Sequence, residues 1–272
     1  MTVHDWIRGA SARLAFAGVD ASRLEAQLLA AHAQDTDRTA ILAHPRAASP
    51  AVAEELLERR LSGEPLAYIL GYREFYGRRF AVNPSVLIPR QETETVVEAA
   101  LQMAPPGARV LDVGTGSGCI AITLKLERPD LFVTGVDISE AALATARENA
   151  TQLKADISFY FSDLFSEVTA AFDVIVSNPP YIAEKAHLPR EIREHEPPAA
   201  LFAGPDGTRL YGRMAETARP PLVAGGHLVV ELGDGMGDAV QAIFEVSGWQ
   251  AVGVYPDLGG MPRALALRRR MG

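Results

Sequence analysis

The chain changes its hydrophobic rhythm twice. Over roughly its first seventy residues, apolar positions recur three and four apart, as at Leu24, Leu28 and Leu29 and again at Val52, Leu56, Leu57 and Leu61. That is the spacing of one buried face on a helix. Gly18, His44-Pro45 and Gly63-Glu64-Pro65 interrupt the pattern and predict four short helices, enough for a small bundle. Between 74 and 86, aromatic and β-branched residues surround Gly77 and Asn83-Pro84, which predicts a hairpin or an extended linker. Leu87-Ile88-Pro89-Arg90 follows, and then a helix over 91–103 that Pro105-Pro106-Gly107 ends.

Beyond that point apolar, β-rich runs alternate with helical stretches. Strands are expected at 109–113, 131–137, 157–161, 172–177, 227–232, 249–255 and 263–267, and helices at 118–127, 140–153, 210–222 and 238–247. The alternation implies βαβ units and a mainly parallel sheet buried on both faces. Only residues 256–262 separate the last two strands, too few for a parallel crossover, so that pair is expected to be antiparallel. The fold class is therefore α/β: a helical amino-terminal domain over 1–73, a hairpin linker over 74–90 and a seven-stranded, Rossmann-like sheet domain over 91–272.

A length of 272 residues suits one large and one small domain. The net charge of -8 argues against a surface built for phosphate backbones. Arg78-Arg79 and Arg268-Arg269-Arg270 are the local exceptions, and they read as solvated edges. The single Cys119 excludes an internal disulfide and a multi-thiolate zinc site, and it reads as a packing residue. No metal is expected. The amino terminus lacks a secretory pattern, and no uncharged apolar run reaches the ~18 residues of a membrane span, so a cytoplasmic location is expected.

Chemistry gathers at the ends of the expected strands. Val110-Leu111-Asp112-Val113-Gly114-Thr115-Gly116-Ser117-Gly118 is a buried strand running into a glycine loop and a helix, where bare backbone N–H groups attract anionic ligands. Such loops make tight turns or bind dinucleotides or S-adenosylmethionine. The G-x-G-x-G spacing departs from the dinucleotide fingerprint, and no Gly-Lys-Ser/Thr follows to make a P-loop. Asp137 ends the second strand, placed to accept from both ribose hydroxyls of an adenosine, with Ser139 free to cap the next helix. Asp163, in Ser162-Asp163-Leu164-Phe165, is placed to accept from an adenine amino group. Leu164 and Phe165 either flank the ring or pack in the core.

The fourth strand, 172–177, delivers Asn178-Pro179-Pro180-Tyr181. Asn before Pro favours an extended backbone, and the two prolines remove two donors, leaving a stiff loop of acceptors. A planar NH2 group could donate to the Asn178 side-chain oxygen and the Pro179 carbonyl while Tyr181 covers its π-face. His195 beside Glu196 could be an acid–base pair, but a loop-ordering role fits better.

Taken with Gly71-Tyr72-Arg73-Glu74-Phe75-Tyr76, Leu87-Ile88-Pro89-Arg90 followed by Glu92-Thr93-Glu94, Glu196-Pro197, Ala200-Leu201 and Asp206-Gly207, these motifs resemble the PrmC/HemK family of peptide chain release factor N5-glutamine methyltransferases over nearly the whole chain. The resemblance implies S-adenosyl-L-methionine as cofactor, held by Asp112, Gly114, Thr115, Gly116, Ser117, Gly118, Asp137, Asp163, Leu164 and Asn178. It also implies a glutamine acceptor held by Asn178, Pro179, Pro180 and Tyr181, with Asn178, Pro179 and Tyr181 catalytic. The implied partner is a class I release factor carrying Gly-Gly-Gln, gripped by the amino-terminal helices. Leu164 departs from the aromatic residue common there in the family. Two other classes stay open: methylation of a ribosomal-protein glutamine or of adenine N6 in DNA through the same tetrapeptide, and a nonenzymatic nucleotide-binding adaptor. The acidic charge disfavours DNA.

Overall fold

The computed structural model describes residues 1–269; Arg270, the end of the Arg268-Arg269-Arg270 run, and the last residues of the expected 91–272 domain lie outside the described residues. Five helices open the chain: α1 (Val3–Phe16), α2 (Ser22–Ala33), α3 (Arg38–Ala43), α4 (Val52–Leu61) and α5 (Leu66–Leu70). The sequence reading expected four. The extra break falls at 34–37, which holds neither Gly nor Pro. There Asp35 takes a left-handed φ of 50°, and Asp37 caps α3 by accepting from the Ala40 N–H at 2.8 Å. An Asx cap stops and restarts a helix as effectively as glycine, because its side chain replaces the missing backbone acceptor.

The remaining elements are β1 (Tyr72–Phe75), β2 (Arg78–Ala81), α6 (Glu94–Met103), β3 (Arg109–Val113), α7 (Cys119–Glu127), β4 (Phe132–Asp137), α8 (Glu140–Leu153), β5 (Ser158–Phe161), β6 (Phe172–Ser177), α9 (Arg190–His195), α10 (Arg209–Thr217), β7 (Leu222–Glu231), α11 (Gly237–Val246), β8 (Trp249–Pro256) and β9 (Pro262–Arg269). A 3-10 turn, Gln91–Thr93, precedes α6. The expected helix over 210–222 ends at Thr217 and the expected strand over 227–232 begins at Leu222. Pro220-Pro221 explains both, since a proline pair cannot continue a helix.

The chain divides into two compact units. The first comprises Met1–Gly71 with Leu188–His195, so α9 clusters with helices more than a hundred residues upstream. Its core sets Val3, Trp6, Ala10 and Leu14 of α1 against Leu29 of α2 and Leu56 and Leu57 of α4, whereas Leu24 and Val52, which the sequence spacing also marks, stand exposed in the first turns of α2 and α4. Nearly buried Arg60 on α4 bonds Glu25 at 2.7 Å and Glu191 of α9 at 3.0 Å, and these pairings make its burial tolerable.

The second unit, Tyr72–His187 with Glu196–Gly272, starts with the β1–β2 hairpin. Tyr76 and Gly77 both take positive φ at the turn, the backbone that matches the twist of paired strands. The hairpin absorbs the Arg78-Arg79 pair: Arg78 bonds Glu127 at 2.6 Å, and Arg79 lies 4.5 Å over the Tyr72 ring. The main sheet has the order β5-β4-β3-β6-β7-β9-β8. β3 to β7 are parallel, and β9 runs antiparallel to both its neighbours. Alternate β3 residues serve opposite faces: Val110 packs with Val96, Ile120 and Leu124, while Leu111 packs with Tyr211, Phe244 and Trp249. Connections run outward from β3 to β5 and then return to β6, so the β3–β6 boundary is a topological switch point. Open α/β sheets bind ligands at the strand carboxyl ends there.

Candidate active site

Two loops leave the switch point side by side. β3 and β6 are paired in register, Val113 opposite Ser177, and the Ser177 hydroxyl donates to the Val113 carbonyl at 2.7 Å. Gly114 and Asn178 therefore depart from adjacent strands at the same level.

The 114–118 loop is tied down from beneath. Asp112 is fully buried; its Oδ2 accepts from Thr115 Oγ1 at 2.7 Å and from the Ala121 N–H at 3.2 Å. Burial pushes this carboxyl up to about 7, against the pull of those two donors. Asp112 thus shapes the loop from inside the fold, and its Oδ1 has no partner. Gly114, Gly116 and Gly118 all have positive φ (72°, 56° and 80°), a backbone that L side chains resist. A Cβ on Gly118 would sit 2.9 Å from Ile122 and 3.2 Å from Ala146, so this glycine serves close packing of α7 on α8. The Cβ directions of Gly114 and Gly116 meet nothing closer than 4.0 Å, which leaves open space above the loop backbone. Thr115 and Ser117 are buried. Asn149 of α8 holds the loop from the side, donating to the Ser117 carbonyl at 2.9 Å.

Asp137 faces the same space. Its Oδ2 accepts from the Gly116 N–H and its Oδ1 from the Ser139 N–H, both at 2.9 Å, and each oxygen keeps a further lone pair for a ligand hydroxyl. Burial raises its pKa, with the backbone donors opposing. Ser139 caps α8 by accepting from Ala142. Ile138, 56% exposed, offers an apolar side chain beside this carboxylate. Asp163 bonds Arg213 at 2.9 Å as an exposed pair. Leu164 is half-buried with a φ of 51°, held by the Ser162 hydroxyl donating to its carbonyl at 2.9 Å. Phe165 lies in the buried core under the sheet, so of the pair only Leu164 remains partly open to a ligand. A glycine cradle, a ribose-spaced carboxylate and two apolar side chains fit an adenosine with a charged tail.

The 178–181 loop is held by side chains. Asn178 Nδ2 donates to Thr93 Oγ1 at 3.3 Å, leaving the amide oxygen as an acceptor. Tyr181 donates its hydroxyl to Glu231 Oε1 at 3.3 Å, and burial raises its pKa first, then the Glu231 charge. Glycines seat the loop: a Cβ on Gly207 would lie 2.2 Å from the Tyr181 carbonyl oxygen, and one on Gly233 would lie 2.9 Å from the Tyr181 ring. Beyond it, Ile182 bridges to Phe202 in parallel. Glu196, almost wholly buried, accepts from the Ile88 N–H at 3.1 Å and pairs with Arg90, ordering the 87–90 segment that leads to Thr93. Cys119 is buried and its thiol is pushed up to about 12 by burial, which keeps it inert.

Sequence reasoning missed Thr93 as a site residue, together with Asn149, Ile138 and Glu231. The signal for Glu231 was available: a carboxylate ending the apolar run His227 to Leu232 is anomalous in a buried strand. Among the described residues no cluster of His, Cys, Asp and Glu could hold a metal ion, and no helix is long and apolar enough to cross a membrane.

Comparison with known proteins agrees with this layout. The Methyltransferase small domain family matches residues 93–194, and the PrmC N-terminal domain family matches residues 5–71. The chain resembles the crystal structure of a methyltransferase from Pyrococcus furiosus with a TM-score of 0.58 at 18% identity, over 80% of this chain and 100% of that one. It is 44% identical over 251 residues to the release factor glutamine methyltransferase of Neisseria gonorrhoeae, covering 89% of this chain and 91% of that one. It is 42% identical over 279 residues to that of Koribacter versatilis, covering 99% of both. With both matched regions in place and relatives more than 40% identical over nearly the whole chain, the chain belongs to the release factor glutamine methyltransferase family.

Proposed function

We propose that the protein transfers the methyl group of S-adenosyl-L-methionine to the side-chain amide nitrogen, N5, of the glutamine in the Gly-Gly-Gln tripeptide of class I peptide chain release factors. The observation that carries this reading is the paired exit of Gly114 and Asn178 from β3 and β6, which sets a cofactor cradle beside a loop of amide acceptors. The relatives' names favour a release factor as the partner.

The cofactor, when bound, supplies an electrophilic methyl group on a sulfonium. Gly114, Thr115, Gly116, Ser117 and Gly118 form the floor of its site, shaped from below by Asp112. Asp137 takes the ribose hydroxyls, Leu164 and Ile138 flank the adenine, and Asp163 takes its amino group. Asn178 Oδ1 and the Pro179 carbonyl each accept one N–H of the glutamine amide, Pro180 stiffens the turn, and Tyr181 covers the amide face. An amide nitrogen is a weak nucleophile because its lone pair is delocalised. Orienting it is therefore the main task of these residues, and near-attack positioning can contribute ~7 to 11 kcal/mol. The extra proton leaves the nitrogen after transfer, so no metal or covalent enzyme intermediate is required. The helical unit grips the body of the release factor, which places the reaction in the cytoplasm.

The test is methylation of a release factor by purified protein with labelled S-adenosylmethionine. One methyl per factor is expected, and changing the Gly-Gly-Gln glutamine to alanine should abolish it. Label in a ribosomal protein or in DNA instead would overturn the reading.

A further inference from the structure

We propose that Glu231 is the positioning residue of the acceptor site, a single buried carboxylate that holds Tyr181 directly and Asn178 through Thr93. The proposal rests on the acceptor role given above to residues 178–181.

Glu231 ends β7, and its side chain is 1% exposed. A carboxylate so placed is costly unless it is paired, yet it forms no ion pair among the described residues. Arg263 of β9, whose charge acts on Glu231, gives its Nε to Asp257 at 3.1 Å and its Nη1 to the Leu232 carbonyl at 3.1 Å. Glu231 instead receives the Tyr181 hydroxyl on Oε1, while Oε2 is buried without a partner. The Thr93 side chain faces Glu231 as well and favours its charged form. The Thr93 hydroxyl in turn accepts from the Asn178 amide. A hydroxyl has one proton, so a Thr93 that accepts from Asn178 and donates toward Glu231 has both its roles set. Tyr181 is therefore bonded to the carboxylate and Asn178 to Thr93 beside it, and Asn178 is left with its oxygen free to receive a substrate N–H. A leucine at 231 would pack the strand better and would do none of this.

Burial pushes Glu231 up to about 7. The groups that face it are Glu92 and Thr93 of the 3-10 turn, Tyr181 of the loop, Arg263 of β9 and the Cys119 thiol of α7, with Tyr211 bonded to its backbone carbonyl at 2.7 Å. Above its pKa the carboxylate is the stronger acceptor for both hydroxyls. Below it, the added proton competes with them.

The experiment compares full-length wild type with Glu231→Gln, which keeps the shape and removes the charge. Release-factor methylation is followed from pH 5.5 to 9, with cofactor affinity measured by calorimetry. Glu231→Gln should lower kcat about 10- to 100-fold, as loss of near-attack geometry does, and change cofactor Kd less than about threefold. It should also erase a wild-type limb that rises through about pH 7. In a Thr93→Val, Tyr181→Phe background it should add almost nothing, because the carboxylate would then have no loop to hold. Undiminished turnover, an unchanged pH limb, or a full additional loss in that background would overturn the proposal. If Glu231→Gln does not fold, the Thr93→Val, Tyr181→Phe pair decides: turnover close to wild type refutes the anchor. Hydrogen exchange needs no substrate. The Ile182 and Ala203 amides, bonded across the 182–202 bridge, should exchange roughly tenfold faster in Glu231→Gln while β3 amides stay unchanged, and identical exchange refutes the anchor. Failure of wild type to methylate any release factor would instead defeat the substrate reading, with the exchange result still judging Glu231.

Discussion

The 114–118 loop is held chiefly through its backbone: buried Asp112 bonds three and nine residues ahead, Asp137 accepts from the Gly116 N–H, and Asn149 donates to the Ser117 carbonyl. The 178–181 loop is held by Thr93, 85 residues behind, and by Glu231, 50 residues ahead. The first is backbone geometry set by glycine and by side chains of β3, β4 and α8, elements that follow one another in the chain. The second is a set of side-chain bonds that exists only once three distant segments have packed. A loop of the first kind is complete once consecutive elements from β3 to α8 have packed, whereas one of the second kind answers to changes far away in sequence.

Substitutions can break that contrast. Asn178→Ala should produce the largest effect, a loss of about 10³-fold in turnover, equivalent to about 4 kcal/mol of barrier, with cofactor affinity by calorimetry nearly unchanged. Equal loss of both would place Asn178 on the cofactor side. Next comes the Asp112 anchor, whose folded pKa is about 7 against an unfolded 3.8. The folded state binds this proton more tightly, so its contribution is present below pH 4 and lost as pH rises through about 7, roughly 4 kcal/mol in all. Asp112→Asn should flatten much of the stability decline measured by urea unfolding between pH 4 and 8. Glu231 keeps a residual slope of the same sign. An unflattened curve would mean that Asp112 titrates normally.

Gly118→Ala combines a left-handed backbone with a 2.9 Å approach to Ile122, and about 2 to 3 kcal/mol of destabilisation is expected in denaturant unfolding. Leu164→Ala should weaken cofactor binding by about 1 kcal/mol, or roughly fivefold in Kd, through lost apolar cover, with kcat retained. The smallest effect belongs to Arg213→Ala. Its bond to Asp163 is exposed on both sides, and such pairs contribute at most ~1 kcal/mol, so cofactor Kd should move less than about fivefold.

The elements that follow from local pattern were legible. The strand over 109–113, the helix over 140–153 with its Ser139 cap and the antiparallel last pair stand where periodicity, capping chemistry and loop length put them. The errors fell where the deciding interaction was weakly marked or remote. An Asx cap at Asp37 split a helix without glycine or proline, and the short α9, with no apolar face of its own, joins helices far up the chain. The glycine loop, Asp137 and the 178–181 tetrapeptide stand at the ends of β3, β4 and β6 as the sequence places them, because each is contiguous with its strand. Which of Leu164 and Phe165 stays open could not, since both are apolar and only the packing of Phe165 under the sheet separates them.

By itself, then, the sequence determined an alternating α/β sheet domain behind a helical module, with a glycine loop and the Asn178-Pro179-Pro180-Tyr181 tetrapeptide at strand ends, because side-chain period, turn chemistry and proline geometry act over a few residues. Tertiary structure alone decided that Val113 pairs with Ser177, which brings the glycine loop and the 178–181 loop together. It alone decided that Thr93 and Glu231 converge on the acceptor loop, because strand register and burial are set by contacts between segments that carry no mark of one another.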